Sequence, residues 1–354
     1  MLARLLFLAA LAAASSASAD DRPLFAPLAR PEPKIFRLLA PPATLDLDAL
    51  QQFEAASGYQ IAYDAYEGAL DLAEKWREGP YDLVVLSGTA LAREIAAGAL
   101  VKLDHARLGW ARNIQPAVLA KIASYDPGNL YGVPLGWYAT GLLYDVDKAR
   151  DRLGGAPDSW NALFSPNDAR KMADCGVVFP DDRDTLFAAA WRLLAIDPEH
   201  ANLQQVKAAA ALIGRSRPTA RAFATADVVS PLSSGAACLS IGDAGEAAAA
   251  SARSREGGAG ADIRFALPKE GGGLVIVAFA IPRDAAHLDQ AYALLDFLLQ
   301  PNISVLNAIA ARLTDAQAGE DVESLKRLSP QGVYSDPHVA PQVQAEWDRL
   351  ITGK

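Results

Sequence analysis

Short apolar runs alternate with stretches of helical spacing through the first third of this chain. Ile35-Phe36-Arg37-Leu38-Leu39 is an apolar run of strand length. Asp46 then stands where an N-cap belongs, ahead of Leu47, Leu50 and Phe53 on one helical face, and Gly58 supplies a C-terminal stop. Residues 59–66 alternate, with Ile61 and Tyr63 between polar neighbours, as a half-buried strand does. Residues 70–78 return to helical spacing, 81–86 form a continuous apolar strand, and 89–97 are helical up to Gly98. Strands that alternate with helices predict βαβ units and a mostly parallel sheet covered on both faces, an α/β fold.

The pattern changes after residue 130. Residues 130–145 carry Pro134, Gly132, Gly136 and Gly141 among aromatics, and end in a strand-like 141–144. Residues 173–179 read as a further strand, 186–195 and 202–214 as Ala- and Leu-rich helices, 238–241 as a short strand and 244–253 as an Ala-rich helix. Strands at 263–267 and 274–281 precede helices at 288–299, 301–312 and 340–352. No repeat and no heptad pattern runs through the chain.

The first residues belong to a different class. Arg4 is the only charge in residues 1–19, an apolar stretch of roughly 10 residues follows it, and Ala17-Ser18-Ala19 precedes Asp20-Asp21. This is the layout of a secretory signal cleaved after Ala19. A membrane anchor needs about 20 apolar residues, and Ser15, Ser16 and Ser18 interrupt the run too early. The Pro- and Ala-rich residues 20–34 read as a flexible lead-in. The expected location is therefore periplasmic. A chain of 354 residues is long for one core and predicts two domains. Its net charge of −9 argues against nucleic acid as a partner and suits an exported protein, expected to be a monomer. In that compartment an even pair of cysteines, Cys175 and Cys238, favours a disulfide over two buried thiols. Such a bond is worth about 3–4 kcal/mol in the chain-entropy picture.

The search for catalytic chemistry returns little. His105, His200, His287 and His338 are far apart in sequence, and none has the spacing of a zinc site. Gly271-Gly272-Gly273 lacks the Lys and Ser/Thr of a phosphate-cradling loop. Gly242-Asp243-Ala244-Gly245 is too short for a dinucleotide fingerprint. No Gly-x-Ser-x-Gly elbow is present. No cofactor is implied, and a non-enzymatic role is expected.

Particular stretches carry a family resemblance. They are residues 81–87, Asp126-Pro127-Gly128-Asn129-Leu130-Tyr131-Gly132-Val133-Pro134 running on to Trp137, Thr140-Gly141 and 144–148, and Asp158-Ser159-Trp160-Asn161. Cys175-Gly176-Val177, Cys238 with Ile241-Gly242, Pro268-Lys269-Glu270-Gly271 and residues 280–285 continue the series. Over most of residues 35–312 the chain resembles the periplasmic substrate-binding proteins of bacterial polyamine (putrescine/spermidine) ABC transporters. The resemblance implies a two-lobe periplasmic binding protein fold of type II. Its ligand cleft lies between lobes joined by crossing strands, with lobe 1 at 35–138 and 273–310 and lobe 2 at 139–272 and 311–354. It also implies a Cys175–Cys238 bond inside one lobe, a small-molecule ligand, and ABC transporter membrane subunits as partners that read hinge closure.

Several of the family's ligand positions are altered. A Trp-Ser-Asp-Tyr run at the end of the first strand reads Pro41-Pro42-Ala43-Thr44 here. A Glu becomes Thr185, an Asp becomes Val277 and a Tyr becomes Leu313. Gly-Trp-Ser-Gly-Asp becomes Gly242-Asp243-Ala244-Gly245-Glu246. Ser87 and Trp137 are kept, and Tyr138 replaces a Gly. Since a hydrogen bond to a charged group is worth about 1.5–3 kcal/mol, losing two or three carboxylates weakens a micromolar polyamine site past millimolar. The candidate ligand-binding residues are Ser87, Trp137, Tyr138, Asp181, Thr185, Asp243, Glu246, Arg183 and Arg312. Asp243 and Glu246 either hold an amine or are solvated acids at a helix start. Arg183, Arg312 and the helix opened by Ser87-Gly88-Thr89 either admit an anion or are ordinary surface. The expected ligand is accordingly a small metabolite that need not be a linear polyamine. The competing readings are a homologue that kept the fold and lost the pocket, an enzyme on the same fold, and a metal-ion binder.

Overall fold

The computed structural model describes residues 34–319 and 322–353. The signal segment expected at 1–19, and all of the lead-in expected at 20–34 except Lys34, lie outside the described residues. The first half of the chain builds β1 (Lys34–Ala40), α1 (Leu47–Ser57), β2 (Tyr59–Ala65), α2 (Gly68–Arg77), β3 (Leu83–Ser87), α3 (Gly88–Ala96), α4 (Pro116–Ile122) and the long β4 (Gly132–Asp145). Next come α5 (Val146–Leu153), α6 (Asn161–Phe164), α7 (Pro166–Ala173), β5 (Val177–Pro180), α8 (Arg183–Leu193), α9 (Leu203–Ser216) and β6 (Ala220–Thr225). They are followed by α10 (Val229–Ser233), β7 (Leu239–Gly242), α11 (Ala244–Glu256) and β8 (Ile263–Ala266). The chain then returns through β9 (Gly272–Ala280), α12 (Leu288–Leu298), α13 (Pro301–Ala311), β10 (Thr314–Asp315), α14 (Val322–Leu325), β11 (Leu328–Pro330) and α15 (Val339–Thr352).

Local chemistry accounts for many boundaries. Asp46 caps α1 by accepting from the Ala49 N–H at 2.8 Å, and Gly58 ends it at φ 74°. The buried face of α1 is Ala49, Leu50 and Phe53, whereas Leu47, expected on that face, is 63% exposed. The strand expected at 173–179 is shorter. Ala173 closes α7, and β5 starts only after Gly176, whose φ of 102° breaks the helix from the strand.

The strands are ordered β2-β1-β3-β9-β4-β7-β5-β6. β1 with β2 and β3, and β5 with β6 and β7, pair parallel. β9 runs antiparallel between β3 and β4, so the arrangement is mixed rather than mostly parallel as expected. β4 belongs to two sheets. Its first part pairs with β9 from Gly132 opposite Ala280 to Thr140 opposite Gly273. Its last residues lie between β7 and β8, with Leu142 opposite both Ile241 and Ala266.

Each sheet organises its own core. Phe36, Leu38, Val85, Ile276, Phe279 and Leu294 are buried in the first. Trp160, Phe164, Phe179, Phe187, Trp191 and Leu239 are buried in the second. A smaller cluster with Leu143, Val178 and Ala247 covers the opposite face of the second sheet. The alternation of Leu142 with Leu143 and of Val177 with Val178 supplies these two faces. The C-terminal tail is divided. Ala316, Leu325 and Leu328 pack in the first core, and Val339, Val343 and Trp347 in the second. The chain therefore passes between the cores along β4, between β8 and β9, and again between β11 and α15.

Gln331 locks the third passage and is only 5% exposed. Its N–H donates to Leu274 O, its side chain donates to Thr140 Oγ1 at 2.7 Å, and its carbonyl accepts from Tyr125 Oη at 2.9 Å. Cys175 and Cys238 are disulfide-bonded, with Cα atoms 5.7 Å apart, and tie the end of α7 to the start of β7. Replacing both cysteines by serine is expected to lower stability by about 3–4 kcal/mol. Urea unfolding followed by circular dichroism measures this, and hydrogen exchange should show the second core losing protection before the first.

Candidate ligand-binding site

The two cores leave a cleft between them, and Tyr138 stands at its centre. Successive strand residues point to opposite faces, so Trp137 enters the first core at 3% exposure while Tyr138 faces the cleft. Trp137 is therefore a support for the cleft wall and not part of its surface, contrary to its place among the expected ligand contacts. Three adjoining cavities of about 1000, 220 and 170 Å³ all have Tyr138 in their walls.

The largest is bounded by the Pro41-Pro42-Ala43-Thr44 turn, Val275, Val277 and Leu313, with Arg93, Arg183 and Arg312 at its edges. The turn is pinned, because Pro41 O accepts from Tyr63 Oη at 2.6 Å and from Thr44 Oγ1 at 2.7 Å. Ser87 caps α3, and its Oγ lies 3.2 Å from Thr89 Oγ1. Arg183 and Arg312 reach this cavity from different cores, one from α8 and the other from the end of α13. Arg312 has φ 57° and lies across Gly245, where an added Cβ would sit 3.2 Å from its side chain. Arg183 Nε is 3.5 Å from Asp184 Oδ1, which also accepts from Tyr334 Oη at 2.8 Å.

The 220 Å³ cavity is acidic. Asp181, Asp182, Asp243 and Glu246 line it with Tyr138 and Thr185, and no Lys or Arg does. Asp182 caps α8, accepting from Thr185 N at 3.1 Å and Thr185 Oγ1 at 2.6 Å. Asp243 and Glu246 form a capping box at the start of α11, each accepting the other's N–H at 2.9 Å. Burial, and then the charge of Asp243, push the Glu246 carboxyl up to about 7. Burial raises Asp243 as well, opposed by the Glu246 and Gly245 N–H groups and by Arg312. The Tyr138 hydroxyl is raised by burial and by the acids around it, so it stays protonated as a donor. Desolvated acids that repel one another favour an added cation. Among the described residues no three His, Cys, Asp or Glu side chains come together to hold a metal ion. Asp243 and Glu246 stand together at the start of α11, and Asp181 and Asp182 stand just before α8.

Of the expected contacts, the structure brings Ser87, Tyr138, Arg183 and Arg312 to the large cavity and Asp181, Thr185, Asp243 and Glu246 to the acidic one. Thr185 is 4% exposed and acts mainly by holding Asp182. Asp182 and Asp184 were not among the expected contacts. The Asp181-Asp182-Arg183-Asp184 run before an apolar helix is the signal that points to them.

Two lobes joined by crossing strands around an acid-lined cleft define a hinge-type binding protein. The chain belongs to the bacterial extracellular solute-binding protein family, whose model matches residues 48–314. It is 34% identical over 261 residues to the putrescine-binding periplasmic protein PotF of Escherichia coli, covering 72% of this chain and 70% of that one. It is also 34% identical over 255 residues to a putrescine/agmatine-binding protein of Pseudomonas aeruginosa, covering 71% and 70%. Among solved structures, the spermidine/putrescine ABC transporter substrate-binding protein PotD of Streptococcus pneumoniae has the same fold. Its TM-score is 0.76 at 19% identity, over 90% of this chain and 99% of that one. This protein is a periplasmic solute-binding protein and not an enzyme.

The raised Glu246 carboxyl has a consequence for the ligand-free protein. Between its ordinary value of 4.5 and about 7, the folded state holds a proton that the unfolded state has released. This group's contribution to stability therefore falls as pH rises through that window and is level above it. Glu246→Gln is expected to remove the trend. Melting temperatures of both proteins from pH 4.5 to 8 check this: the wild type should lose ground to the variant as pH rises.

Proposed function

We propose that the protein captures a small amine-bearing solute in the interlobe cleft and presents it to ABC transporter membrane subunits by hinge closure. The observation that carries the reading is the acidic cavity, with four carboxylates, a buried tyrosine hydroxyl and no basic residue in its wall. A desolvated ammonium needs paired acceptors, and relatives named for putrescine, agmatine and spermidine point to the same class. Asp182, Asp243 and Glu246 take the ammonium group in this reading, Tyr138 covers its alkyl stem, and Asp181 and Thr185 complete the pocket. Ser87, Arg183 and Arg312 meet the rest of the solute. The first-lobe wall at Pro41-Pro42-Ala43-Thr44 and Val277 offers no carboxylate, so the acids of the second lobe carry the charge recognition. The cleft is open and charged, which argues against a homologue that has lost its pocket.

Lobe 1 comprises 34–138, 273–319 and 322–330 in this reading, with 139–272 and 331–353 in lobe 2. The tail expected in lobe 2 from residue 311 is divided, because Ala316, Leu325 and Leu328 pack in the first core. The protein acts as a monomer, and its net charge of −9 disfavours nucleic acid.

Calorimetry at pH 7.5 against a panel of primary amines tests the reading, with putrescine, agmatine, spermidine and aminocarboxylates in it. At least one is expected to bind, and Glu246→Gln and Asp243→Asn should each weaken it about 10- to 100-fold, matching the worth of a charged hydrogen bond. Failure of every amine to bind at millimolar concentration sinks the proposal. Affinity should also decline as pH drops below about 7 and do so much less in Glu246→Gln, because an ammonium binds the ionised acid.

A further inference from the structure

The two ends of the cleft differ in sign. The large cavity has three arginines in its wall and one acid, Asp184, which already receives both Arg183 and Tyr334. The adjoining cavity has four acids and no base. Tyr138 is common to both, so one extended molecule can reach from one end to the other.

Helix termini reinforce this split. Several helices begin at the cleft, α3, α8 and α11 among them with α2 and α15, and each N-terminus favours negative charge. Those of α8 and α11 are filled by the chain's own carboxylates, Asp182 for one and the Asp243–Glu246 box for the other. The start of α3 bears only the Ser87 and Thr89 hydroxyls. It opens on the cavity that holds Arg93, Arg183 and Arg312. A second ammonium group placed there would meet arginines, a positive helix end and the apolar Val277 and Leu313, with no free carboxylate. A carboxylate would meet two guanidinium groups brought from opposite lobes, with geometry that favours paired hydrogen bonds. The cavity of about 1000 Å³ is at the upper end for a drug-sized ligand and has room for more than a short diamine.

We infer that the solute is an aminocarboxylate: its ammonium group lies at Asp182, Asp243 and Glu246, and its carboxylate lies at Arg312, Arg183 and the start of α3. The inference rests on the amine-capture reading and narrows it. Arg312 is the residue that selects the carboxylate end. It also acts on Asp243, so it opposes a ligand that brings positive charge alone.

Calorimetry on the purified protein with four probes tests this: 1,4-diaminobutane, 4-aminobutanoate, N-succinyl-1,4-diaminobutane and succinate. One of the two aminocarboxylates is expected to bind at least tenfold more tightly than the diamine and than succinate. Arg312→Ala should weaken that aminocarboxylate at least tenfold and strengthen the diamine, so that the preference shrinks or inverts. The wild-type ranking needs no variant and stands even if Arg312→Ala folds poorly. Equal or tighter binding of the diamine overturns the inference and leaves amine capture standing, as does equal weakening of both amines by Arg312→Ala. Tighter binding of succinate than of either aminocarboxylate also overturns it. If no probe bearing an amine binds, this inference falls, and the wider panel with agmatine and spermidine decides the amine-capture reading.

Discussion

The antiparallel ladder between β4 and β9 is the constraint from which the rest of the molecule follows. It begins in the first core, with Gly132 opposite Ala280, and ends at Thr140 opposite Gly273, where β4 passes into the second sheet. A backbone that is hydrogen-bonded through the gap between two cores sets their separation and leaves few places to bend. The cleft is what that separation leaves open. Tyr138 faces it because the residue before it is committed to the first core and the pleat alternates. Gln331 ties a third passage of chain to the same point through Thr140 and Leu274. Relative movement of the lobes must therefore be taken up around this buried polar hub, where main-chain and side-chain bonds meet.

Electrostatics divide the cleft in a way that packing alone does not require. The acids of α8 and α11 cap their own helices, so part of their role is structural. An acid that only capped a helix would lie in water, where the dipole and the solvent together keep it ionised. Glu246 is instead desolvated and held beside Asp243, and its carboxyl is lifted to about 7. Raised carboxyls in a cleft are a frequent mark of a functional site, since the strain is relieved when a partner arrives. In the proposed reading the partner that relieves it is the solute's ammonium group.

Much of the fold was legible because its elements are short, capped and regular. Asp46 and Gly58 bracket α1 as their chemistry demands, and the sheet strands of the first lobe read as apolar runs. β4 was less legible. A strand that leaves one core, borders a cleft and enters another has no constant period of burial, and its glycines and Pro134 resemble a loop. The stretch at 173–179 misled for another reason: Met172 and Val177 are buried in one core from different elements, and the break between helix and strand falls at Gly176. In the site, the likeness of residues 242–246 to a known family led to Asp243 and Glu246. Trp137 was misplaced by one pleat. Asp182 and Asp184 went unnoticed because they flank Arg183 at a helix start, where acids are ordinary capping residues. Which acids also face a cleft depends on where β4 and α11 lie in space, and local sequence does not carry that.

The division of the cleft also bears on closure. A ligand shifts the balance between open and closed lobes only by its difference in affinity for the two. The acids all belong to elements packed on the second core, so a solute held by its ammonium alone would engage one lobe in either state. Arg312 and the start of α3 belong to elements packed on the first core. A solute with an anionic end gains those contacts only when the lobes come together. A molecule with unlike ends therefore couples binding to closure, and the placement of the arginines makes that coupling a property of the closed state.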